Sequence, residues 1–151
     1  MEQYAEKLSR FFAEFGAGRK MVLSTAEDGM VSSRMMSVVQ FGGCFWFQTD
    51  CTMRKYRQLA QNAHAALCID NIQIEGICTE QGHPMQNAQF CASFQSCFKG
   101  SFDAYTRLEN ERLFRLRPQY IERWVYQDRV PYIETFDLVK ATYSFTPYAG
   151  V

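Results

Sequence analysis

The sequence predicts a mainly β fold, an antiparallel barrel of about six strands with helices packed outside. Three observations lead there. Strand-like runs follow one another in short hairpin steps, a single helical stretch is slotted between the third and the fourth, and a sheet of that many strands has to close or cover its edges. An open antiparallel sheet with helices on one face is the competing architecture. The 151 residues, 47% apolar and 15% aromatic, suffice for one well-buried domain over 1–151 and are too few for two of ordinary size.

The elements follow in order. Tyr4, Leu8, Phe11, Phe12 and Phe15 recur at helical spacing among Glu6, Lys7 and Arg10, and Gly16 and Gly18 end the pattern, so the chain opens with an amphipathic helix. "KMVLSTA" and the long run "VSSRMMSVVQF" read as strands joined through Asp28-Gly29, the turn chemistry of a tight hairpin. Gly42-Gly43 turns the chain into a third strand, "CFWFQT". Residues 54–62 read as helix, and "AALCIDN" and "IQIEGICTE" resume the strands. After Pro84 some thirty residues read as helical, with Phe90, Phe94, Phe98 and Phe102 on one apolar face that belongs to a core. "YIERWVY" and "YIETFDLVKATYSF" close the domain as strands.

Composition excludes several functions. Sixteen basic residues balance sixteen acidic ones, so no whole-protein field draws the chain to nucleic acid or an anionic membrane, and attraction to a phosphate has to be local. The six cysteines form no CxxC or zinc-ribbon pair and read as reduced, mostly buried thiols. "MEQYAEKLSR" lacks the apolar core of a signal peptide, and no run approaches the roughly 20 apolar residues of a membrane span, so a cytoplasmic location is expected. His64 and His83, the only histidines, have no carboxylate or cysteine at ligand spacing, and no metal site is expected. Ser93 and Ser96 lack a nucleophile elbow.

The stretch "FQTDCTMRKYRQL" carries the chemistry. It begins as a strand and ends as a basic helix, and a phosphate monoester needs what it offers: hydroxyls at Thr49 or Thr52, the fork of Arg54, the point charge of Lys55 and the N–H groups of a helix start. Taken singly, Asp50 or Thr52 is a plain helix cap. Arg34, within the apolar strand "SSRMMSVV", either lies on a wet face or has a partner that offsets its burial.

The span "LSTAEDGMVSSRMMSVVQFGGCFWFQTDCTMRKYRQLAQNAHAALCIDNIQIEG" resembles the FMN-binding split barrel of the pyridoxamine 5'-phosphate oxidase superfamily. It keeps that family's order of a "DG" hairpin, an arginine-bearing strand, an aromatic strand ending in threonine and a polar loop with adjacent Arg and Lys. The resemblance implies a six-stranded split barrel that dimerises and binds FMN at the subunit interface. By position, Arg34 matches the family's strand arginine, and Thr49, Arg54 and Lys55 its strand-end hydroxyl and basic pair. Ser37 and Val38 would lie beside the flavin ring, where backbone groups meet its polar edge. Asn71 falls where the oxidases have a ring-facing glutamine, and Gln73, read as sharing a strand face with it, is the other candidate. Two departures stand out: Val39 replaces a second phosphate-binding lysine, and Met53 a serine. "YIERWVYQDR" resembles the oxidases' C-terminal segment only loosely, with Trp124 read as a core or interface aromatic, so oxidation of pyridoxamine 5'-phosphate itself is not expected.

The function implied is an FMN-dependent oxidoreductase using a small-molecule electron donor or acceptor, with catalytic side chains left unassigned because the flavin carries the redox chemistry. Two rivals stay open. One is a haem-binding split barrel with His64 or His83 as axial ligand, and the other a non-catalytic flavin-binding dimer.

Overall fold

Turn chemistry sets the first hairpins. Asp28 and Gly29 both take positive φ (52° and 77°), as do Gly42 and Gly43 (61° and 73°), so each pair makes the tight turn whose twist matches the strands it joins. The computed structural model describes residues 2–150. It places α1 at Glu2–Phe15, β1 at Gly18–Glu27, β2 at Met30–Phe41 and β3 at Cys44–Asp50. These are followed by α2 at Arg54–Gln61, β4 at His64–Ile69 and β5 at Ile72–Glu80. A 3-10 turn, Pro84–Gln86, leads into α3 at Ala88–Cys97, then a helical turn Lys99–Ser101 and a π-helical turn Phe102–Thr106. β6 spans Glu111–Gln127, β7 Val130–Asp137 and β8 Thr142–Pro147.

Neighbouring strands run antiparallel in the order β3-β2-β1-β4-β5-β6, and β6 returns to pair with β3. That closure makes the expected six-stranded barrel. β6 is long enough to serve two structures. On one edge it pairs with β5 from Phe114 to Arg123, while on the other Glu111–Leu116 pair with β3 and Tyr120–Gln127 with β7, which carries β8 outward. The hand-over falls at a bulge where Glu75 faces Tyr120 but Gly76 faces Pro118, and a Cβ on Gly76 would lie 2.4 Å from the Arg117 carbonyl oxygen.

The pleat sorts the apolar residues into two cores. Met21, Leu23, Val38, Phe45, Phe47, Leu67, Ile74, Phe114 and Leu116 fill the barrel. Phe11, Phe12 and Phe15 of α1 pack against Phe45 and Phe136 at one mouth, and Tyr56 and Leu59 of α2 close the other against Phe114. The alternate faces of the same strands present Val39, Trp46 and Leu113 to Phe90, Phe94 and Phe102. Thus the phenylalanine series after Pro84 is core, as its spacing predicts. Among the described residues no helix is long and apolar enough to cross a membrane.

Three readings change. β6 begins at Glu111, well before "YIERWVY", because the alternation of "ERLFRLR" finds a full partner in β3 and strand closure overrides a locally helical pattern. Asn71 is not on a strand face with Gln73: it sits in the β4–β5 turn, where its amide Nδ2 donates to the Trp124 carbonyl at 2.7 Å. Of the two places read for Trp124 the core is excluded: it is 37% exposed and lies against Tyr126 and Tyr148 on the outward extension.

Candidate functional site

β2 and β3 separate soon after their hairpin. Only Val39, Gln40 and Phe41 of β2 pair with β3, whereas Met30–Val39 all pair with β1. From Met30 to Val38 the outer edge of β2 therefore has no strand partner among the described residues, and Met30, Val31 and Met35 on it are exposed. The wedge holds a cavity of about 480 Å³, within the usual range of ligand sites of roughly 300–1,000 Å³. Met35, Met36 and Ser37 line one side and Gln48, Thr49 and Asp50 the other. Met53 and Lys55 close one end, and Phe94, Ser101, Tyr105 and Leu108 roof it from the segment between β5 and β6.

The basic junction sits at this end. Burial, and then the nearby Arg34 charge, lower the pKa of Lys55, while Glu111 and Asp50 raise it. The N-cap of α2 is Met53, whose side chain caps nothing. The first helical bonds come from the N–H groups of Tyr56 and Arg57 to the Met53 carbonyl, so those of Arg54 and Lys55 have no partner among the described residues. Asp50 takes the N–H and hydroxyl of Thr52, each at 2.7 Å, and that interaction holds its carboxyl below the ordinary value. Thr52 is thereby used up, while Thr49 lines the cavity with its hydroxyl held only by a long, 3.5 Å bond to the Asp50 carbonyl.

Arg34 has a partner set of its own. Its Nη1 donates to the Leu23 carbonyl at 3.2 Å and to Thr25 Oγ1 at 2.8 Å, and its Nη2 donates to Gln58 Oε1 at 3.0 Å. Thr25 also donates to Gln58 Oε1 at 2.7 Å, and Gln58 Nε2 donates to Ser32 at 3.2 Å. The guanidinium thus ties α2 to β1 and β2 inside the barrel mouth. Burial first and the Arg54 charge second lower its pKa; a guanidinium stays protonated in proteins all the same, and it adds to the positive field at the junction.

The remaining predicted residues divide. Val38 is fully buried in the barrel core and is not among the residues lining the wedge, while Ser37 is. Gln73 is exposed and donates to Glu122 at 3.2 Å. It and Asn71 lie at the opposite mouth, since Ile72 pairs with Arg123 whereas Asp50 pairs with Glu111. Within one chain they do not join Thr49 and Lys55.

Gln48 and Glu111 are site residues that sequence reasoning missed. Gln48 is 9% exposed, and its Oε1 accepts the Thr106 hydroxyl at 3.0 Å. Glu111 is 5% exposed and lines the same cavity. The alternation through "FWFQT" could have flagged Gln48; nothing local marks Glu111, which reaches the site only because β6 closes on β3.

The residues present suit a phosphorylated flavin. A free helix start, a cationic side chain and a hydroxyl meet at one end of a cavity whose other walls are methionine and aromatic side chains with the polar groups of Gln48, Asp50, Ser101 and Glu111 among them.

A closed antiparallel barrel that parts on one side into a ligand-sized wedge defines the split-barrel class of proteins. The pyridoxamine 5'-phosphate oxidase family profile matches residues 6–125, and the chain belongs to that family. Solved structures share the fold. A pyridoxamine 5'-phosphate oxidase-related, FMN binding protein from Nostoc punctiforme aligns over 97% of this chain and 93% of its own, with TM-score 0.61 and 14% identity. PhzG from Burkholderia lata 383, solved with tetrahydrophenazine-1-carboxylic acid, aligns over 95% and 91%, with TM-score 0.62 and 19% identity. The heme storage protein HutZ from Vibrio cholerae aligns over 66% and 80%, with TM-score 0.58 and 18% identity. A search of curated proteins finds no match.

Proposed function

We propose that the protein is a cytoplasmic FMN-dependent oxidoreductase that works as a homodimer, with a small molecule as electron donor or acceptor. One observation carries the reading: Lys55, Thr49 and the uncapped start of α2 converge on one end of the wedge cavity. In this arrangement Lys55 and the N–H groups of Arg54 and Lys55 hold the phosphate, with Thr49 donating its hydroxyl. The backbone of Ser37 and Val38 faces the ring, and Met35, Met53, Tyr105 and Leu108 keep water from it. Bound FMN supplies the hydride and electron transfer. A second copy laid on the open edge of β2 would cover Met30, Val31 and Met35, and Asn71 and Gln73 can contribute to the ring only from such a copy. The free state of all six cysteines suits a reducing compartment.

A haem reading has less support. His83 Nδ1 accepts from the Met85 N–H at 3.1 Å and Nε2 donates to the Leu108 carbonyl at 2.8 Å, so neither ring nitrogen is available to a metal. His64 lines a separate cavity of about 280 Å³ beside Glu75 and Gln119.

Flavin titration of the wild type and Lys55→Ala tests the proposal. Loss of one charge-assisted contact weakens FMN about tenfold or more and leaves riboflavin, which has no phosphate, nearly unchanged. Equal FMN affinity in the two proteins would remove Lys55 from the site. Lys55 is the clean choice, because Arg34→Ala would also unpin α2.

A further inference from the structure

Glu111 stands directly across from Asp50 on the paired ends of β6 and β3, an arrangement in which two carboxylates repel. Both border the wedge cavity, but Asp50 is held by the N–H and hydroxyl of Thr52 whereas Glu111 is not. No hydrogen bond reaches the Glu111 carboxyl from any described residue; Lys55 acts on it only through space, without ion-pair contact. Burial, then the Asp50 charge, push its pKa up. The Glu111 oxygens are not sealed from solvent but open onto the cavity, so a ligand that displaces water from it has to supply the donor in its place.

Its surroundings narrow the donor. Arg34, Arg54 and Lys55 make this end positive, which disfavours a cationic ligand group but not a neutral hydroxyl. Gln48 adds the complement: with Oε1 taken by Thr106, its amide N–H groups are left for the cavity. A hydroxyl is donor and acceptor at once and satisfies both side chains. We propose that Glu111, assisted by Gln48, reads the hydroxylated chain of a phosphorylated polyol ligand, accepting a hydrogen bond from it while Lys55 and α2 hold the phosphate. This rests on the flavin reading and assigns the part of the ligand between ring and phosphate.

The test compares riboflavin, lumiflavin (the ring without the polyol) and FMN binding to the wild type and to Glu111→Gln, by flavin fluorescence, with Glu111→Asp as a second variant that keeps the charge on a shorter stem. Riboflavin weakens about tenfold in Glu111→Gln, and lumiflavin is unaffected. FMN weakens less than riboflavin, because removing the carboxylate also relieves its repulsion of the phosphate. Glu111→Asp falls between wild type and Glu111→Gln for riboflavin. Unchanged or tighter riboflavin binding in Glu111→Gln, or an equal loss for lumiflavin, would overturn the proposal while the flavin reading stands. A wild type that binds none of the three would overturn both.

Discussion

Replacing Gln58 with alanine separates the two uses a partly buried arginine can have at this junction. Gln58 is 1% exposed and receives hydrogen bonds from Thr25 at 2.7 Å and Arg34 at 3.0 Å, while donating to Ser32 at 3.2 Å. Alanine removes all three. At about 1 kcal/mol net for each bond the loss is about 3 kcal/mol, and Thr25, itself buried, keeps only the Arg34 contact. For a chain of this length that lowers Tm by roughly 6–12 °C. Urea unfolding monitored by circular dichroism reads the change as a shift in midpoint at constant m-value. Arg34→Ala and the double variant complete the cycle, with a coupling of more than about 0.5 kcal/mol expected from direct contact. A loss below about 0.5 kcal/mol for Gln58→Ala would refute the reasoning, since it would mean that Arg34 is not anchored by α2 and its fork is free for a ligand.

Further expectations can be checked with the same methods. Gly76→Ala forces a Cβ to 2.4 Å from the Arg117 carbonyl and 2.6 Å from Leu116 Cδ2, so the β5–β6 bulge has to shift at a cost of about 2 kcal/mol or more; an unchanged melting temperature would contradict this. Phe94, 1% exposed and stacked on Phe90 with ring centroids 4.9 Å apart, both packs the outer core and walls the cavity. Phe94→Ala should lose about 3–5 kcal/mol in denaturant unfolding and weaken flavin binding, and retention of both would contradict its place in the wall. Burial holds the Glu111 carboxyl above its unfolded value, so the native state binds that proton more tightly. Its contribution to stability is full below the unfolded pKa and is lost as pH rises through the higher native one. Glu111→Gln lacks this loss, and thermal melts from about pH 4 to about pH 7 should show the variant gaining on the wild type. A constant difference would mean the carboxyl is not perturbed.

What the sequence could disclose follows the range of the interactions involved. The hairpins at Asp28-Gly29 and Gly42-Gly43, the opening helix and the Phe90, Phe94, Phe102 core rest on turn chemistry and short periodicity, and each is visible locally. β6 is not, because residues 111–118 become strand by meeting β3 and β5, both far away in the chain. The site divides in the same way. Thr49, Lys55 and Ser37 lie close in sequence order to the strand ends that place them. The duty of Arg34 depends on Gln58, an ordinary helix residue in the sequence whose burial appears only when α2 docks on the barrel mouth. Asn71 reads as strand because "AALCIDN" continues its pattern two residues past the end of β4; the hydrogen bond to Trp124 that fixes it in a turn is long-range.

The central claim is that the wedge between β2 and β3 is a flavin site. Its most direct test is the visible spectrum of the purified protein after incubation with excess FMN and gel filtration. Flavin bands that travel with the protein, stoichiometric with chains, are the predicted result. A protein that elutes without flavin, or carries a Soret band in its place, would contradict the account.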